Sequence, residues 1–412
     1  MLTIGEGIWG FQASMVAPTV VLSVLLTTLG ASDTMIGSIS SIEIGALLLP
    51  QLLGMWFFRS NRNKQKRVIL WHFIFIIPPL YLMGVVAWCM PLTSPMATRW
   101  LLLLLFLLFQ GGIGTVLSVW LDWLSQIFPQ EIRGTVFGMS WGTGALLGTL
   151  GGTLSGYLIS HGGNLFTYGM LYLLAGVIST VSMMFFCLLK YDEPPDTGLQ
   201  NMTPIEMFST FGDSLRDENF RSFLFGRIMM MSAFCATPLI ATFYQSPHGG
   251  SLPAGTIISC GAAMAAGLGL GNGLLGRMGD LWGHRWSLVA GAVLQVLALG
   301  LMLCTAGFWS CLMVYFLTGF ANSANWATHS TMMIETCPHE HILSHITGTS
   351  LLLAPGAVLF PLLAGNMATL CGLEVVFGGS ILLALLSIVW MIWKLKTPEP
   401  PQPAALLPSA TH

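Results

Sequence analysis

Charge is what this sequence has least of. Asp, Glu, Lys and Arg make up 8% of its 412 residues, where an ordinary soluble domain carries roughly 25%. That scarcity excludes a protein with a solvated surface all round. A formal net charge of −2 says little about partners in so apolar a chain, and nucleic acid is not expected among them. Catalytic signatures are missing as well: there is no P-loop, no Ser-His-Asp order and no pair of catalytic carboxylates. An enzyme is therefore not expected, nor a pump with its own nucleotide domain. Cys337, His339, His341 and His345 lie close together, but in neither C-x-x-C nor H-E-x-x-H spacing, so no metal or cofactor is expected. The eight cysteines fall mostly inside apolar runs, where a thiol acts as a small hydrophobe, and they form no disulfide framework.

What the chain has in abundance is long apolar runs. Crossing a hydrocarbon core about 30 Å thick takes around 20 apolar residues in a helix. Such runs recur near 6–29, 35–58, 68–90, 98–123, 136–160, 166–190, 221–245, 253–275, 286–306, 309–334, 345–368 and 373–394. The expected fold is an all-α integral membrane protein of twelve transmembrane helices. This disposes of one motif. Gly271-Asn272-Gly273-Leu274-Leu275-Gly276 fits G-x-G-x-x-G, but a dinucleotide site needs a strand before it and a βαβ unit around it. At the end of a spanning helix, glycines serve close packing instead.

The few charges set an expected orientation. Lys and Arg collect in cytoplasmic loops. With the N-terminus inside, every basic residue except Arg99 and Arg227 falls on the inner side, from Arg59, Arg62, Lys64, Lys66 and Arg67 to Lys394 and Lys396. Both termini are then cytoplasmic and the protein sits in the cell (inner or plasma) membrane. The start, MLTIGEGIWG, has no basic n-region, so the first helix is expected to stay. One stretch breaks the apolar pattern: residues 191–220 begin with a Pro-Pro linker and continue with Ile205, Phe208, Phe211 and Leu215 at amphipathic spacing. The expected organisation is a six-helix half over 1–190, a cytoplasmic linker with a surface helix over 191–220, a second six-helix half over 221–396, and a cytoplasmic tail over 397–412.

The halves echo each other. "FPQEIRGTVFG" after the fourth run has a counterpart in "CPHEHILSHITG" after the tenth, and "GMWFFRSNRNKQKR" after the second answers "GRMGDLWGHR" after the eighth. GRMGDLWGHR, residues 276–285, resembles the G-x-L-a-D-r-x-G-r-r signature of the major facilitator superfamily. Gly276, Met278, Gly279, Asp280, Gly283 and Arg285 match, while Leu281 departs. Pro129…Arg133-Gly134 resembles the P-x-x-x-R-G pattern of the same family. In the first-half copy Phe58 stands where the family has its acid, and in "GALLGTLGG" Thr149 replaces the proline of its antiporter signature. The resemblance covers the whole chain. It implies two pseudo-symmetric halves that rock about a substrate site near the membrane midplane.

Ionisable and polar groups inside such helices are costly, so each is a functional candidate. Glu43, in "SSIEIGALLLPQLL", lies near the middle of the second run and is the first candidate for proton coupling; Glu6 is the second. Asn322, Asn325 and His329 share one helical face by i, i+3, i+7 spacing, and with Gln12 and Gln110 form a candidate cavity wall; hydrogen bonding between helices is the plainer alternative. Asp280, with Arg277 and Arg285, is placed to latch two helix ends by capping backbone N–H groups or pairing with an arginine. Asp122, Glu131 and Arg133 bracket the inner end of the fourth run. Arg227, two turns into the seventh, is expected to pair with an acid of the first half and seal an inner gate. Pro355 and Pro361 mark an expected bend in the eleventh run.

These residues predict a secondary active transporter, a monomer in the lipid bilayer, that moves a small neutral or amphipathic solute with protons. The rival expectation is a non-transporting protein of the same fold, such as a sensor or an assembly factor.

Overall fold

The computed structural model describes residues 1–58, 63–90, 94–127, 130–162, 164–190, 215–325, 332 and 342–396. Among them the chain is helical, without strands, and runs as twelve rods. In the first half these are α1 (Leu2–Thr28), α2 (Asp33–Leu48, continuing as Gln51–Phe57), α3 (Lys64–Cys89), α4 (Pro95–Ile127), α5 (Gln130–Gly162) and α6 (Leu165–Cys187). In the second half they are α7 (Glu218–Gln245), α8 (Ala254–Trp282), α9 (His284–Cys304), α10 (described over Phe308–Ser323), α11 (Ile342–Cys371) and α12 (Leu373–Lys394). Nine of the described helices are long and apolar enough to cross a membrane by length and composition. The protein is a multi-pass membrane protein. The expected linker helix, residues 191–214, and the tail, 397–412, lie outside the described residues.

Local chemistry sets where the rods begin and break. Ser32 caps α2 by accepting from the Met35 N–H, Asn164 caps α6 through Thr167, and Asp217 caps α7 by accepting from the Phe220 N–H at 2.7 Å. Each side-chain oxygen satisfies one of the donors that a helix start leaves without an intrahelical partner. Proline removes an N–H and interrupts the ladder. Accordingly α1 passes into a π-helical segment at Pro18–Leu22, α2 breaks at Pro50, and α7 breaks before Pro238. The breaks in α1 and α7 fall in corresponding helices of the two halves. In α11, where a bend was expected, the helix continues through both Pro355 and Pro361.

The 276–285 stretch departs from its expected form. Gly276 to Trp282 continue α8, and α9 begins at His284, so the turn is the single residue Gly283. Its φ of 94° lies in the region that L side chains avoid, which is why glycine occupies the turn.

Packing divides by depth. At the end of the bundle opposite the termini, one apolar core joins both halves: Leu25, Leu26 and Ile159 of the first half are buried with Ile240, Tyr244, Ile257 and Phe377 of the second. Closer to the end bearing the termini, Met231, Leu353 and Ala357 of the second half still pack against Ile44 and Leu48 of the first; at that end itself two further cores are each confined to one half. Leu2, Val68, Trp123 and Phe186 form one wholly within the first half, and Phe220, Leu288, Ala321 and Met391 form another wholly within the second. The outward face is apolar as well: Leu146, Leu370 and Trp393 are more than 70% exposed. A surface of this kind suits lipid, whereas a water-soluble monomer rarely shows large apolar patches.

Candidate functional site

A cavity of about 310 Å3 opens where α1 loses its regular winding. The proline break frees the chain from a straight helical path, and Ala13, Ser14 and the run from Val16 to Leu22 line the space. Its polar wall consists of Gln12, Ser14 and Thr19 of α1, Glu43 of α2, Gln110 of α4, Tyr172 of α6 and Asn322 of α10. Trp9, Phe106 and Phe109 supply aromatic faces, and α8 contributes Met264 and Leu268. Non-helical backbone at membrane depth is tolerated where it lines such a cavity.

Four of the sequence-predicted residues, Gln12, Glu43, Gln110 and Asn322, therefore meet in one place. Gln110 is buried, and its Nε2 donates to the Glu43 backbone carbonyl at 3.3 Å, tying α4 to α2 beside the carboxyl. Gln12 is 1% exposed, yet neither amide atom has a hydrogen-bond partner. The Tyr172 hydroxyl is likewise buried without a partner. Glu6 stands outside this wall. It accepts from Trp120 Nε1 at 3.3 Å, a contact between α1 and α4.

The α10 stripe splits in two. Asn322 reaches the cavity, whereas Asn325 is engaged by Arg227: Nη1 donates to its side-chain oxygen and Nη2 to its backbone carbonyl at 3.0 Å. Asn325 Nδ2 in turn donates to Asn322 Oδ1 at 3.2 Å. A chain of polar contacts thus runs from α7 through α10 to the cavity. Among the described residues the buried guanidinium is held by an amide of its own half, since Asn325 presents two oxygens in the right places. Asp122 and Glu131, the first-half acids at the inner end of α4, have side chains outside the described residues.

Asp280 is exposed, with its Oδ1 3.7 Å from His284 Nε2 across the Gly283 turn. Among the described residues its charged neighbour is thus a histidine of the next helix. Arg277 is exposed; Arg285 donates to the Leu395 carbonyl at 2.7 Å and lies 4.8 Å from the centre of the Trp286 ring, fastening α9 to the end of α12. His329 and the side chains of Asp122, Glu131 and Arg133 lie outside the described residues.

Sequence reasoning missed Trp9, Ser14, Thr19 and Tyr172. Hydroxyls and aromatic rings are ordinary in membrane helices, so nothing in their type marked them. The available signal was Pro18, whose break decides which neighbours face the cavity. Also missed was the contact between Thr27 and Thr242, whose hydroxyl oxygens are 3.4 Å apart across the halves.

The family model described as Major Facilitator Superfamily matches residues 2–271 and again 222–410. A search of curated protein sequences finds no match. Among solved structures, the chain is similar to a mutant of the nucleoside transporter NupG, with a TM-score of 0.69 at 16% identity, covering 95% of this chain and 98% of that one. A bacterial homolog of the human lysosomal transporter Spinster, inward-facing and unoccupied, gives 0.64 at 16% identity, with 95% and 93% covered. A POT family transporter in complex with 5-aminolevulinic acid gives 0.65 at 11% identity, with 95% and 94% covered.

Proposed function

The chain belongs to the major facilitator superfamily, and from that premise we propose that it is a secondary active transporter. It carries a small organic solute, neutral or amphipathic, by alternating access between its two six-helix halves. The observation that carries this reading is the difference between the two ends of the bundle: one core shared by both halves at the end opposite the termini, and two separate cores at the other. Two rigid bodies joined at one end can part there only if they close at the other. The cavity wall draws Gln12, Glu43 and Gln110 from one body and Asn322 from the other, so rocking changes which side the solute sees.

With both termini cytoplasmic, the shared core closes the outer side and the protein faces inward. Transporters of similar fold handle nucleosides, or bind peptide conjugates and 5-aminolevulinic acid; these are small organic molecules, consistent with a cavity of this size. Glu43 is the proton carrier in this scheme, because a carboxyl exchanges protons when water reaches it in one state and not in the other. Glu6 is its reserve. At the inner end, Asp280, Arg277, Arg285, Asp122, Glu131, Arg133 and Arg227 govern opening, and these charges must change partners as the halves move.

The test needs no known substrate. In a background without the native cysteines, Thr27→Cys with Thr242→Cys is expected to cross-link readily, since the native oxygens are already 3.4 Å apart. Flux of a solute panel into proteoliposomes should then stop, and a reductant should restore it. Failure to cross-link in any condition, or flux that continues through the cross-linked protein, overturns the proposal.

A further inference from the structure

The unpartnered Gln12 carboxamide asks for a particular kind of ligand. We infer that the cavity takes uncharged, flat solutes through a cis-amide edge, an N–H beside its carbonyl as in a lactam, imide or ureide, with Gln12 as the complementary carboxamide. The inference rests on the transporter reading and deepens it by naming a substrate class for the same site.

A glutamine side chain offers two donors and an acceptor with two lone pairs. Gln12 stands in the cavity wall, 1% exposed, with neither Nε2 nor Oε1 hydrogen-bonded. Native proteins pair the large majority of such buried groups, because leaving them unmet costs the full desolvation penalty. The surroundings do not supply the pair. The nearest glutamine in the wall, Gln110, has its Nε2 committed to the Glu43 carbonyl, and the backbone carbonyl of Gln12 itself is taken by the Val16 N–H. Both amide atoms are unpartnered, so the demand is the same whichever way round the amide is drawn: one donor and one acceptor, side by side. A cis-amide edge meets it with two parallel hydrogen bonds. The Tyr172 hydroxyl, also buried and unpartnered, offers a third contact to a second carbonyl, as an imide has.

Other features narrow the class. Among the described residues no basic side chain stands in the wall, and Arg227 is turned to Asn325, so the described wall gives carboxylates and phosphates no counter-charge. Trp9, Phe106 and Phe109 present ring faces to the space, against which a planar ring stacks or packs edge-on. At about 310 Å3 the cavity lies at the small end of the range for ligand sites, which suits a single ring with a modest substituent. A site made to hydrogen-bond an N–H rejects the analogue lacking it far more strongly than an apolar pocket rejects one methyl group.

The experiment uses the full chain, purified in detergent, and follows thermal unfolding with matched probes at millimolar concentration: uracil against 1,3-dimethyluracil, and glutarimide against N-methylglutarimide. The N–H forms are expected to raise the melting temperature, with the N-methyl forms at least about tenfold weaker. Gln12→Leu should erase the difference within each pair. Should that variant not fold, Gln12→Met keeps the length of the side chain while losing both donor and acceptor, and is expected to lose the preference as well. Equal binding of N–H and N-methyl forms, a preference that persists without the Gln12 amide, or no stabilisation by any N–H probe would each overturn the assignment. The Thr27–Thr242 cross-link judges the transporter reading separately, since it reads the flux of a broad solute panel and not the binding of these probes.

Discussion

Glu43 and Asn325 show how differently two buried polar side chains can serve. Glu43 lies in the cavity wall with its backbone held by Gln110, so Glu43→Gln keeps size and hydrogen bonding while removing the titrating group. The expected outcome is loss of accumulation driven by an imposed pH gradient in proteoliposomes, with solute binding retained. If accumulation persists, coupling lies elsewhere, and Glu6 is the next residue to replace. Asn325 instead supports a buried guanidinium through two contacts. Hydrogen bonds to charged groups contribute about 1.5–3 kcal/mol, so Asn325→Leu should lower the unfolding free energy by about 2 kcal/mol or more, read as a fall in melting temperature. Asn322→Leu should weaken solute binding more than stability, because Asn322 is the member of the stripe that reaches the cavity. The reverse ranking would make Asn322 a packing residue and return the stripe to interhelical bonding as a whole.

Helices α2 and α11 meet at the level of Gly37, where a Cβ would stand 2.6 Å from the Pro361 carbonyl oxygen. That distance is too short for any side chain, and the atoms met there, from Pro361 and Gly365, are backbone, which cannot swing aside. Gly37→Val should therefore force the two rods apart and open the end opposite the termini, while the separate cores at the other end remain intact. Greater labelling of a cysteine placed at Thr34 by a membrane-impermeant maleimide is the expected readout; unchanged labelling would mean that the rods slide rather than part. At the other end of the bundle, the α8–α9 turn carries Asp280 next to His284. Exposed pairs of this kind contribute at most about 1 kcal/mol, so Asp280→Asn should leave thermal stability nearly unchanged. Its expected effect is on the balance between conformations, measured by labelling from both sides. Equal labelling before and after the substitution would reduce residues 276–285 to a basic turn that sets topology.

For the whole molecule, the decisive feature is the inequality of its ends. Closure opposite the termini rests on packed apolar side chains and close backbone approach, so it is insensitive to salt. Opening at the terminus end is, in the proposed scheme, governed by scattered charges, which salt screens. A cysteine at Ala13, in the cavity wall, should accordingly react from the side bearing the termini and stay protected from the other in resting vesicles. High salt should change the rate of that reaction without changing its sidedness. Reaction from the opposite side alone would invert the proposed resting state.

The sequence determined the class, because twelve apolar runs with so little charge have no stable alternative to a helical bundle in lipid. It also determined where helices begin and break, since Ser32, Asn164, Asp217, Pro18 and Pro238 act on their own backbone within a turn. Gln12, Glu43, Gln110 and Asn322 were legible as candidates because a polar group in an apolar run is costly wherever it lands. Gln12, Gln110 and Asn322 were also expected to share a cavity wall; that Glu43 joins them while Asn325 turns to Arg227 was not legible, because it depends on which faces of α1, α2, α4 and α10 turn inward, and that is fixed by packing among distant segments. The same limit explains Arg227: its depth could be read, but its partner could not, since amide and acid are equally reasonable until the fold sets Asn325 beside it. That the halves share a core opposite the termini, while the cores at the terminus end each stay within one half, rests on contacts between helices far apart in the chain, such as Thr27 with Thr242, and no local pattern carries them.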